Sequence, residues 1–165
     1  MDLRRLAVDP RWRVREAVAI ALQRFGDVDF PALLTEMQRW ARGSLLERRA
    51  AVAALCEPRL LSDPNRARDV LTLLGRVTAE LEDADEHRSD AFRVLRQTLG
   101  YAWSVAIVAL PEEGKALLER LLASRDRDVR WIVRANLRKR RLVQLDADWV
   151  ALVERHCSSP ASRKG

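Results

Sequence analysis

Asp9-Pro10-Arg11-Trp12-Arg13-Val14-Arg15-Glu16-Ala17-Val18, running on to Leu22, has a counterpart near the other end of the chain. That counterpart is Asp126-Arg127-Asp128-Val129-Arg130-Trp131-Ile132-Val133, running on to Leu137. Laid over one another, Val14 falls on Val129, Arg15 on Arg130 and Leu22 on Leu137 at one constant offset. A constant offset marks a repeated structural unit, and repeated helical units stack into a solenoid that works through its surface. The expected fold class is all-α, with about four helix pairs and eight main helices.

Pro and Gly between periodic apolar stretches let those helices be counted. The first is expected to start at an Asp9 cap with Pro10, carry Val14, Val18 and Leu22, and stop at Gly26. The second spans about Phe30 to Ala41. Ser44-Leu45-Leu46-Glu47 has the form of a capping box that opens a third helix through Leu55. Asp63-Pro64 opens a fourth, with Ala67, Val70, Leu71, Leu74, Val77 and Leu81 along one face. The acidic stretch from Glu80 to His87 reads as the longest loop. A fifth helix, about Asp90 to Ala109, is apolar on every side beyond Ala102, which predicts burial in the middle of the stack. Gly100 within it predicts close approach by another helix. The sixth starts at Pro111, the seventh spans Arg127 to Lys139, and the eighth starts at an Asp146 cap. Residues 1–158 form one domain, and 159–165 read as a polar, disordered tail.

The chain has 165 residues and no run of about 18 uncharged apolar residues, so no membrane span is expected. The N-terminus lacks an apolar core with a small-residue cleavage site. Cys56 and Cys157 form no C-x-x-C pair. A reduced, cytoplasmic protein with two ordinary thiols is the expectation. The net charge of +6 is unevenly placed. Residues 1–119 hold 18 Lys/Arg against 19 Asp/Glu, whereas residues 120–165 hold 12 against 5. Compositional bias explains 27 Arg against 3 Lys, but not why acids are scarce in the last quarter alone. A localised anion-facing surface does.

Asp9 with Arg15, and the Val-Arg-x-Ala-Val-Ala-x-x-Leu run from Val14 to Leu22, resemble HEAT repeats of the armadillo-like superfamily. The second copy keeps Val129, Arg130, Val133 and Leu137, but has Trp131 and Ile132 where Glu16 and Ala17 stand. The third helix keeps the arginine and the small-residue run without the acid before it. The resemblance covers most of the chain and implies a right-handed α-solenoid. It also implies a structural ladder in which Asp9, Arg15 and Asp126 bridge successive loops. A weaker resemblance, in the basic C-terminal stripe and Trp131, is to HEAT-like DNA-alkylation-repair proteins. No catalytic aspartate can be matched residue by residue.

Arg127, Arg130, Arg134, Arg138 and Arg141 are spaced 3, 4, 4 and 3. On a continuous helix they share a stripe about 80° wide, while Val129, Ile132, Val133 and Asn136 point the other way. Trp131 at its edge would stack on Arg127 or Arg134. Aligned guanidinium groups call for a phosphate or carboxylate. The alternative is a solvated helix face with Arg130 in the ladder. Catalytic candidates are few. His87 and His156 lack metal-ligand spacing, and neighbours His156 and Cys157 diverge by about 100° on a helix. Asp83, Asp85 and Glu86 lack the calcium-loop pattern. No catalytic residue, metal or cofactor is therefore expected.

These readings favour an interaction module that binds a protein partner through its groove, with DNA or RNA binding as the alternative. Only Met1 to Val8 precede the first repeat, which predicts an exposed apolar end and a homodimer there. A short helix from Leu3 to Ala7 lying across that end is the other possibility.

Overall fold

The computed structural model describes residues 2–84 and 87–158. The described residues form ten α-helices and no strand. In order they are α1 (Leu3–Ala7), α2 (Trp12–Val28), α3 (Phe30–Trp40), α4 (Leu45–Leu55), α5 (Pro64–Glu82), α6 (Asp90–Ala109), α7 (Pro111–Arg120), α8 (Arg127–Leu137), α9 (Arg140–Leu145) and α10 (Ala147–Ser158). Single 3₁₀ turns at Pro58–Leu61 and Leu121–Ala123 follow α4 and α7. No helix among these is long and apolar enough to cross a membrane.

Most helix starts are set by a side chain that satisfies amides left free in the first turn. Asp29 accepts from the Ala32 amide, Asp63 from Asn65, Ser89 from Phe92, and Asp126 from both Asp128 and Val129. The capping box at α4 is complete: the Ser44 amide donates to Glu47, and the Glu47 amide donates to the Ser44 hydroxyl. Pro31, Pro64 and Pro111 sit in first turns, where a missing N–H costs nothing.

Helices α2, α4, α6 and α8 pack in a row, each against the next. α3 fills in against α2 and α4, α5 against α6 and α8, and α7 against α6. α6 is the centre: Leu99, Ala102, Trp103, Ala106 and Ile107 are buried, and the Trp103 indole donates to the buried Thr78 hydroxyl at 3.1 Å. Its second half is not enclosed all round, however. Tyr101 and Val108 keep 36 % and 42 % of their surface open, because one stripe of α6 is left open between α4 and α8.

Other boundaries differ from expectation for local reasons. α2 begins two residues late, at Trp12, because Asp9 spends its carboxylate on Arg11, accepting from its amide at 2.8 Å and from its guanidinium. α2 also runs through Gly26. A Cβ there would stand 2.6 Å from Leu33 Cδ2, so this glycine permits close packing and does not end the helix. α5 continues to Glu82, three residues into the expected loop, since Leu81 is buried. α7 gives way at Leu121 to a 3₁₀ turn. α1 exists, capped by Asp2, with Ala7 buried and Leu3 and Leu6 packed on the core beside α2 and α4. The expected tail at 159–165 lies outside the described residues, as do Asp85 and Glu86.

Candidate anion-binding face

The open sides of α2, α4, α6 and α8 form one face with two adjoining depressions. The first, about 330 Å³, is lined by Trp12, Arg15 and Glu16 of α2, Arg49 of α4, and Val94, Gln97, Thr98 and Tyr101 of α6. The second, about 430 Å³, is lined by Gln97 and Gly100 of α6, Trp131, Arg134, Ala135 and Arg138 of α8 and its end, and Lys139. Gln97 belongs to both, so the two are continuous. A larger hollow of about 610 Å³, between Leu45, Leu46, Glu80 and Ala91, lies elsewhere and carries one cation, Arg48, bridged to Glu80.

The five predicted stripe arginines do not lie on one helix. α8 ends at Leu137, where the Lys139 amide turns back to the Asn136 carbonyl at 2.9 Å. Lys139 is extended, and α9 begins at Arg140 because Leu142 must turn inward to a fully buried position. Arg134, Arg138 and Lys139 still line the second depression. Arg141 now lies on α9 and is exposed. Burial holds the Tyr101 phenol protonated, pushed up to about 12. Arg130 and Arg134 both lie near the Cys157 thiol of α10, and Arg130 is half-buried. Arg127 points to solvent at the far end, 3.7 Å from Asp128. Among the described residues, no salt bridge involves Arg130, Arg134, Arg138 or Arg141.

Trp131 stacks neither on Arg127 nor on Arg134. Its ring lies under the Arg96 guanidinium at 4.5 Å. Arg96 is held by Asp128, which is 3 % exposed and is also 3.7 Å from His87. The ring edge rests on Gly100, where a Cβ would stand 2.8 Å from Trp131 Cζ3, so the expected close approach at this glycine is made by an indole.

The predicted ladder takes another form. Arg15 does not reach the Asp9 carboxylate. It donates to the carbonyls of Asp9 at 2.6 Å and Pro10 at 2.9 Å, closing the turn into α2. Asp126 is the α8 cap, with no bridge to another loop among the described contacts. Two pairs join neighbouring helices of the row α2, α4, α6 and α8: Arg49–Glu16, from α4 to α2, and Arg96–Asp128, from α6 to α8. Sequence reasoning missed both. The only available signal was an arginine and an acid at facing positions of successive open helices.

The remaining candidates are dispersed. His156 is exposed, with Nδ1 2.8 Å from the Leu152 carbonyl. Cys56 and Cys157 are free and buried, and burial raises both thiols above their usual range. No group of three or more His, Cys, Asp or Glu among the described residues is placed to hold a metal. No protein-family model matches the chain, and no match to it is found among curated proteins or solved structures.

Proposed function

We propose that the chain is a HEAT-type repeat module, about four helix pairs in a right-handed stack, that binds an anionic partner along the open face of α2, α4, α6 and α8. The charge imbalance of that face carries the reading. Arg134, Arg138 and Lys139 line it, and the one carboxylate lining it among the described residues, Glu16, is already paired with Arg49. Cations clustered without counter-charges raise one another's energy until an anion neutralises them. Free, buried cysteines suit a reducing compartment, and a cytoplasmic location goes with this reading.

An acidic protein segment is the occupant that the repeat resemblance brings, and it satisfies the charge. The rings of Trp12, Tyr101 and Trp131 on the same face favour nucleic acid, and kinship with alkylation-repair proteins belongs to that second reading. Fluorescence anisotropy with labelled poly-glutamate and with labelled nucleic acid tests the general proposal. At about 50 mM salt at least one polyanion should bind, with an affinity that falls steeply as salt rises. Flat titrations with every polyanion would overturn it.

A further inference from the structure

We infer that the partner is single-stranded nucleic acid, whose unstacked bases lie on Trp12, Tyr101 and Trp131 while its phosphates face Arg134, Arg138 and Lys139. This rests on the anionic-partner reading and narrows it.

The first argument is how Trp131 is held. Trp131 is a partly buried tryptophan at the edge of the core. It is clamped on one face by Arg96, seated by its edge on Gly100, and backed by the buried Asp128 that holds Arg96. The ring cannot swing away, and it borders a cationic depression. A rigid aromatic plane beside free cations matches a nucleotide, which joins a flat base to a phosphate charge. The second argument is Trp12, 62 % exposed in the first turn of α2 and, among the described residues, stacked only by Arg13, at 5.5 Å. An aromatic ring so open, with Tyr101 in the same depression, lies ready for a planar ligand.

Competing occupants use less of this surface. In a duplex the base faces are covered by their neighbours, so the rings would meet backbone and base edges and have no face to stack on. An acidic peptide satisfies the arginines but offers its carboxylates no use for flat rings. Hollows of about 330 and 430 Å³ have room for single bases.

The test uses the full chain and three labelled probes: an oligothymidylate about 20 nucleotides long, a duplex of equal length, and poly-glutamate. The oligothymidylate should bind about ten-fold more tightly than the duplex, and Trp12→Ala should weaken it about ten-fold while changing the other two by less than about two-fold. Trp12 is exposed, so this variant keeps the fold. Trp131→Ala should act likewise, and Trp131→Phe, which keeps a ring, should restore most of the affinity. Equal binding of single and double strands, or no effect of Trp12→Ala, overturns the inference. Binding of poly-glutamate alone overturns it and leaves the anionic-partner reading standing. No binding of any probe defeats both.

Discussion

Asn136 on α8 and Ser104 on α6 are joined by a 2.9 Å hydrogen bond in which the Ser104 backbone amide donates to the Asn136 side-chain oxygen. The same side chain donates through Nδ2 to the carbonyls of Leu99 and Ile132, each at 2.8 Å. Asn136 and Ser104 are fully buried, so these bonds have no competition from water. They fix how far α8 slides along α6, and thereby where Trp131 and Arg134 stand.

Asn136→Ala should therefore destabilise the fold by about 2 kcal/mol, since it leaves buried polar groups unpaired and opens a small cavity. Urea unfolding followed by circular dichroism measures this. A change below about 0.5 kcal/mol would show that the bonds are easily replaced.

Gly100→Ala should cost about 1–3 kcal/mol, because the new methyl meets the Trp131 ring at a distance neither can keep. The ring must lift off α6, so tryptophan emission should shift along with the loss in stability.

Arg134→Glu combined with Arg138→Glu should abolish polyanion binding and change unfolding free energy by no more than about 0.5 kcal/mol, as both residues are exposed. Loss of helical signal in this variant would assign the two arginines to the fold.

Asp9 is held down to about 2, first by hydrogen bonds from the Arg11 side chain and then by the Arg11 amide. A depressed carboxyl adds stability above its unfolded value of 3.8 and loses it as pH falls toward the folded value. The difference in thermal stability between the parent and Asp9→Asn should thus be present at neutral pH and vanish between about pH 4 and pH 2.

Deleting residues 1–8 removes Leu3, Leu6 and Ala7 from the apolar end of the row and uncovers surface on α2 and α4. Light scattering should show the shortened chain self-associating more than the full one. Equal behaviour would mean that α1 shields nothing.

Helix starts were legible because their signals are local: the Ser44–Glu47 box, Asp63-Pro64 and the Asp146 cap each act within three residues. Burial of Val129, Ile132, Val133 and Asn136 followed from spacing alone. What failed depends on distant partners. Gly26 reads as a stop until Leu33 and Leu60 are seen against it. Arg141 extends the stripe on paper, but the demand to bury Leu142 breaks the helix before it. Arg96 is one more arginine in the sequence, and gains its place under Asp128 and over Trp131 only when α6 meets α8.

The central position of α6 also bears on cooperativity. Both depressions open onto this helix, and α4 and α8 rest on its two sides. A ligand that occupies both depressions ties the two ends of the molecule to one element, so fraying at either end opposes binding. Affinity and resistance to local unfolding are then linked quantities, with α6 as the shared support.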